Sequence, residues 1–255
     1  MSAPVTAILL AGSRPGHDPL LDGSGLSTKA LLPIRGKPML SYPLAALLGS
    51  EAVGRVIVCG QDSGGLTAAI ADAPGADFQA SEASIARTIE RLLRDFGGPL
   101  LVTTADHVLL TPEMVEYFLS GVREHDLAVG MVEQDVLRQA GLDSRRTWLR
   151  FRGGNWSGAN LFWLSGAECI PLIRFWADIE QERKKGRRII SAFGPALALA
   201  AALRLGDIHS LIKRAGGRFG LNAQVVAMPQ AEACIDADKP ADLVLIEQLL
   251  DRRRP

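Results

Sequence analysis

The sequence predicts an α/β fold: a single domain with a mostly parallel, twisted sheet and helices on both faces. Three observations carry this. Short apolar runs of strand length alternate along the chain with stretches whose apolar residues recur at helical spacing. The first apolar run, Ala7 to Leu10, opens directly into a glycine-rich excursion, as buried parallel strands do at their carboxyl ends. At 255 residues, 47% hydrophobic and 22% charged, the chain has enough apolar material for one sizeable core.

The elements follow in order. Ala7–Leu10 reads as the first buried strand. After it, Ala11, Gly12, Ser13, Arg14, Pro15 and Gly16 shrink the side chains almost to nothing, and apolar sequence resumes only at Lys29–Pro33. A loop of that length in a compact domain is usually functional or disordered. Leu40–Leu48 is a helix with Pro43 in its first turn. Arg55–Cys59 is a β-branched strand closed by Gly60. Ser84–Arg94 places Ile85, Ile89, Leu92 and Leu93 at helical spacing with Ser84 as cap. Leu100–Thr104 is the next strand, and Pro112–Arg123 the next helix, capped by Thr111. Strand, helix, strand, helix in this order requires right-handed crossovers and a parallel sheet.

Beyond these, Thr147–Arg152 alternates like a strand, turns through Gly153-Gly154-Asn155, and continues as Trp156–Trp163. A basic stretch, Arg183–Arg188, precedes the apolar run Ile189–Leu203, which is too short for a bilayer and is interrupted by Gly194-Pro195. A final helix starts at Pro240, with Leu243, Ile246, Leu249 and Leu250 on its apolar face. One domain, residues 1–255, is expected, falling into halves over about 1–126 and about 127–255.

Chemistry concentrates at the strand ends. Small residues after the first strand let backbone N–H groups approach an anion, and Arg14 and Lys29 add charge to the same rim, which is the make-up of a triphosphate cradle. Asp106 ends the strand Leu100–Thr104, where it either faces that loop as a Mg²⁺ ligand or caps the turn toward Pro112. Asp236 and Asp238 share a face if a strand runs through them, and Asp238 is either a second ligand or the cap of the last helix. Arg145, Arg146, Arg150 and Arg152 are placed to grip an acceptor phosphate through bidentate contacts, or are simply exposed cations on an edge strand. His107 reads as a turn residue. No G-K-[ST] follows the glycines and no G-x-G-x-x-G occurs, which excludes a P-loop and a dinucleotide fingerprint. Lys+Arg and Asp+Glu are both 28, which argues against a nucleic-acid partner. Three isolated cysteines and an N-terminus without a basic region point to a reducing cytoplasm and no signal peptide. The basic stretch suits a solvated helix end better than a membrane contact.

Leu10-Ala11-Gly12-Ser13-Arg14-Pro15-Gly16, followed by Lys29–Leu40 (KALLPIRGKPML), resembles the nucleotidyltransferases of the MobA-like and sugar-phosphate NTP transferase superfamily. Ser13 stands where their second glycine is usual. The resemblance implies a Rossmann-like, GT-A-like fold and a Mg²⁺-dependent transfer of NMP from an NTP to a phosphorylated acceptor, releasing pyrophosphate. It implies Lys29, Arg14 and Asp106 as catalytic residues, and Leu10, Ala11, Gly12, Ser13, Arg14, Gly16, Lys29 and Asp106 around the nucleotide. Asp106 and Asp238 are the implied metal ligands, the latter within a D-x-D-T-P-E-D-L-like element where Lys239 replaces Thr. Ser157-Gly158 matches the Thr-Gly of the family's acceptor segment, which brings in Asn155 and Asn160 beside Arg150 and Arg152. Trp156 departs from that segment's Asn, which favours CTP over GTP and a non-hexose acceptor. Two other readings stand beside this one: a nucleotide-sugar-dependent glycosyltransferase, separable by pyrophosphate release, and a catalytically silent nucleotide-binding protein, against which Lys29, Asp106 and Asp238 occur together.

Overall fold

A computed structural model describes residues 4–13, 16–122, 124–142, 146–181 and 206–253. Its main sheet has eight strands, in the order β10 (Ala223–Ala227), β7 (Leu127–Glu133), β9 (Gly154–Leu164), β6 (Leu100–Thr104), β1 (Val5–Leu10), β4 (Val53–Gly60) and β5 (Ala76–Ala80), with β8 (Leu149–Phe151) added beside β9. The central strands are β1 (Val5–Leu10), β4 (Val53–Gly60), β5 (Ala76–Ala80) and β6 (Leu100–Thr104). All run parallel, with β1 between β4 and β6. The chain moves outward from β1 to β4 and β5, then returns to the other side of β1 as β6. The loops after β1 and β6 therefore diverge at a crevice, the place where open α/β sheets take ligands.

Alternation along β1 explains why helices cover both faces. Ala7 and Leu9 point to one side and Ile8 to the other, and all three are fully buried. The first side packs under α1 (Ser41–Leu48), α4 (Pro112–Gly121) and α8 (Pro240–Arg252) through Leu44, Leu47, Met114, Phe118 and Ile246. The second packs under α3 (Ile85–Phe96) and α6 (Ile170–Gln181) through Ile89, Leu92, Leu93 and Ile173. The predicted caps are present: Ser84 accepts from the Arg87 N–H at 3.2 Å and Thr111 from the Met114 N–H at 3.3 Å. Pro43 lies in the first turn of α1.

The second half carries β7 (Leu127–Glu133), β8 (Leu149–Phe151), β9 (Gly154–Leu164) and β10 (Ala223–Ala227). β9 is antiparallel to both β6 and β7 and so stitches the halves into one sheet. Between Val129 and Met131 its register against β7 shifts, because β9 bulges at Asn160, whose φ is +48°. The remaining pieces are the short hairpin β2 (Pro33–Ile34) and β3 (Lys37–Pro38), with α2 (Ser63–Ala69), α5 (Gln134–Gln139) and α7 (Ile208–Gly217).

One expectation is corrected. No strand runs through Asp236 and Asp238: β10 ends at Ala227, and a 3-10 turn, Ala231–Cys234, leads into an irregular segment. The Ala237 N–H is donated to the Asp106 carbonyl at 3.0 Å, so the segment is tied to the end of β6 by a single contact rather than a ladder. Arg14, Arg145 and the stretches Arg183–Arg188 and Ile189–Leu203 lie outside the described residues. Among the described residues no helix is long and apolar enough to cross a membrane.

Candidate active site

A cleft of about 680 Å³ opens over the carboxyl ends of β1, β4 and β6. Its floor is the first loop. Leu10 and Ala11 stay within the sheet's hydrogen bonding, with the Ala11 N–H donated to Cys59 O at 2.7 Å and the Ala105 N–H to Leu10 O at 2.9 Å. Gln61, one residue past β4, clamps the loop: the Ser13 N–H donates to Gln61 Oε1 at 2.9 Å and Gln61 Nε2 donates to Ser13 O at 3.3 Å. The Ser13 amide is thus committed inside the protein, which removes it from the set expected to face the phosphates. The far end of the loop is pinned by Thr28, whose buried hydroxyl donates to Ala11 O at 2.9 Å.

Gly12 is glycine because of this clamp. A Cβ there would stand 2.7 Å from Gln61 Oε1 and 3.1 Å from its Nε2, and Gln61 cannot swing away without losing both hydrogen bonds. Two ordinary hydrogen bonds contribute about 1 kcal/mol each. Gly12→Ala is therefore expected to break the clamp, raising the KM for NTP roughly tenfold and lowering the melting temperature by several degrees. Steady-state kinetics beside a thermal melt check this; an unchanged KM would remove the clamp from the argument.

Lys29 stands at the centre of the cleft, on a 3-10 turn, Lys29–Leu31, capped by Thr28. Its ammonium reaches Asp106 Oδ2 at 2.7 Å, Asp238 Oδ1 at 2.8 Å and the Ala237 carbonyl at 3.0 Å. Burial opposes the charge on this ammonium, but Asp106 and then Asp238 outweigh it and hold its pKa above the ordinary lysine value. Asp106 also accepts a short hydrogen bond from the Thr104 hydroxyl. Asp238 Oδ1 is engaged by Lys29 at 2.8 Å, while Asp242, inside the first turn of the last helix, accepts from the Lys239 N–H at 2.9 Å and the Asp238 N–H at 3.2 Å.

Beside this pair lies a second charged group that the sequence reading under-weighted. Asp236 lines the cleft with Oδ1 held by Arg146 at 2.7 Å and Oδ2 by the Asn160 amide at 3.1 Å. Burial pushes the Asp236 carboxyl up to about 6, against the pull of Arg146 and with Asp238 and Asp106 adding to the rise. Arg146 also donates to Ser157 Oγ at 3.3 Å, so its guanidinium braces Asp236 rather than standing free for a phosphate. The bulge at Asn160 is what aims its side chain at Asp236.

The expected acceptor residues divide. Asn160 lines the cleft, and Ser157 is buried just behind it. Asn155 faces away and donates to Gln134 Oε1 at 2.8 Å. Arg150 and Arg152 are exposed on the β8–β9 hairpin and do not line the cleft; nor does Gly158. His107 closes the turn after β6 through its N–H to Thr104 O, while its imidazole is buried and its pKa pushed down to about 4 by that burial. Lining residues that the sequence did not single out are Gln61, Ser81 and Thr88, together with Glu82. The available signal was position alone, since Gln61 follows Gly60 at a strand end.

The donor set suits a hard cation. Asp106 and Asp238 converge on one point although they are far apart in sequence, and Mg²⁺ needs only one or two carboxylates when substrate phosphates and water complete its octahedron. Among the described residues no group of three or more His, Cys, Asp or Glu side chains forms a self-sufficient metal site.

Comparison with known proteins identifies the family. The family model of the MobA-like NTP transferase domain matches residues 7–218. The bifunctional protein GlmU of Thermus thermophilus is 39% identical over 100 residues, 38% of this chain and 22% of that protein, so the chain spans under a quarter of the length of the curated relatives it matches. Among solved structures, a hypothetical transferase from Thermus thermophilus superposes with a TM-score of 0.79 at 25% identity, covering 94% of this chain and 100% of that one. CMP:2-keto-3-deoxy-manno-octonic acid synthetase, solved with CTP, does so with a TM-score of 0.60 at 16% identity, covering 99% and 100%.

Proposed function

The chain belongs to the MobA-like NTP transferase family, and from that premise we propose that it transfers CMP from CTP to a phosphorylated small-molecule acceptor, with Mg²⁺ and release of pyrophosphate. Membership makes it a nucleotidyltransferase; the base, the metal and the acceptor are what is proposed. The observation that carries it is the single point where Lys29, Asp106 and Asp238 meet, on the rim of the loop after β1. A glycosyltransferase needs acidic ligands but has little use for a lysine seated over such a loop. CTP is favoured because Trp156 departs from the hexose-type acceptor segment, and a protein of the same fold was solved with that nucleotide.

An acceptor phosphate oxygen is already anionic near neutral pH, so no protein nucleophile or general base is required. That oxygen forms a bond to the α-phosphorus, the bond from the α-phosphorus to the bridging oxygen breaks, and the electron pair leaves with pyrophosphate. Mg²⁺, when bound, supplies positive charge to the α-phosphate and the acceptor oxygens. The chain's own residues do the rest. Asp106 and Asp238 hold the ion, the Gln61-clamped loop sets the nucleotide's depth, and Lys29 neutralises the phosphate tail. Asp236, braced by Arg146 and Asn160, presents carboxylate oxygens able to accept from acceptor hydroxyls.

Pyrophosphate release measured for the four NTPs against a panel of phosphorylated polyols and sugars tests this. CTP with a non-hexose phosphate is expected to give the highest rate. Turnover of a nucleotide sugar without pyrophosphate would replace this reading with the glycosyltransferase.

A further inference from the structure

We propose that Lys29 is a placeholder cation: in the resting protein its ammonium fills the seat between Asp106 and Asp238, and it must leave before a divalent ion enters. The inference rests on the reading of those two carboxylates as metal ligands. Its basis is how completely the seat is filled. An ammonium has three N–H donors. Three oxygens meet this one, Asp106 Oδ2 at 2.7 Å, Asp238 Oδ1 at 2.8 Å and Ala237 O at 3.0 Å. Mg²⁺ sits about 2.0–2.1 Å from its oxygens, so an ion on these same carboxylates would lie against the ammonium, with like charges in a partly dry cleft. The two cations exclude each other.

The fold lets one replace the other. Thr28 anchors the turn beneath Lys29 by its bonds to Ala11 O and the Ala30 N–H, so the backbone stays put. The lysine stem is flexible and its ammonium is a compact point charge. A triphosphate entering over Gly12 and Ser13 offers that ammonium a stronger partner inside the same cleft. The nucleotide thereby draws Lys29 off the carboxylates at the moment it brings the metal. Metal and nucleotide binding are then coupled, and the coupling is reciprocal. Without nucleotide both carboxylates share the one ammonium, which offsets one of their two negative charges and keeps stray divalent ions out.

The test is direct metal binding, read by the EPR signal of free Mn²⁺ rather than by activity. Without nucleotide, Lys29→Met is expected to bind Mn²⁺ at least tenfold more tightly than the natural protein, and Lys29→Met/Asp238→Asn to lose that gain. Lys29→Gln serves the same purpose should the methionine variant fold poorly. Equal Mn²⁺ affinity in the natural protein and in a folded Lys29→Met or Lys29→Gln protein overturns the placeholder. If Asp106→Asn nonetheless removes the Mn²⁺ bound in the presence of CTP, the metal-ligand reading survives that result. If Asp106→Asn leaves the ternary Mn²⁺ signal untouched, the metal-ligand reading falls and takes the placeholder with it.

Discussion

Asp106→Asn and Asp238→Asn are each expected to lower nucleotidyl transfer by roughly a thousandfold, and the double variant to be little worse than either. The reason is that the two carboxylates act at one point. Each lies within 2.8 Å of the same ammonium, although they are far apart in sequence. An ion that needs both is lost when either is neutralised, so the second change finds little left to remove. Independent roles would instead multiply, to roughly a millionfold. Stability should separate the two. Asp238 is 56% exposed, so its pairing with Lys29 contributes little to folding, whereas Asp106 is 14% exposed and tied to Thr104. Asp106→Asn should therefore lower the melting temperature more. Pyrophosphate release under saturating CTP and Mg²⁺, beside thermal melts, decides the matter; near-normal turnover in either folded variant would end the metal assignment.

What could be read from sequence is what is local. Ser84 and Thr111 cap their helices through contacts three residues away, and both were legible. So were the buried strands β1 and β6, since alternation and length need no distant partner. Lys29 and Asp106 were legible because strand ends gather at one crevice. The contacts that finish the site are not local. Gln61 reaches 48 positions back to Ser13, and Arg146 reaches 90 positions forward to Asp236. No periodicity encodes those pairings, and Arg146 read as a phosphate grip because its carboxylate partner was invisible. Asp238 is singled out by the resemblance and not by a strand: none runs through it, and Lys29 and the Ala237 contact to Asp106 place it. Asn155, Arg150 and Arg152 were grouped with Ser157 by adjacency, but pairing within the β8–β9 hairpin turns them away from the cleft.

Lys29→Ala is expected to lower turnover by two to three orders of magnitude, about 3–4 kcal/mol in the barrier, in a protein that still folds. Its side chain is 21% exposed and its burial is offset by two carboxylates, so the residue serves electrostatics more than packing. Removing it leaves Asp106 and Asp238 facing each other without a counter-charge, a modest cost while water reaches Asp238. The larger loss comes during transfer, when negative charge shifts onto the departing pyrophosphate and no ammonium meets it. The damage should therefore fall mainly on kcat, with a smaller rise in the KM for NTP. Lys29→Arg should recover only part of the rate, because a planar guanidinium does not place its charge on the phosphate tail as a compact ammonium on a flexible stem does. Steady-state kinetics of the three proteins, with melts to show that each is folded, measure this. Near-normal pyrophosphate release from folded Lys29→Ala would remove Lys29 from the chemistry and leave it a structural counter-ion.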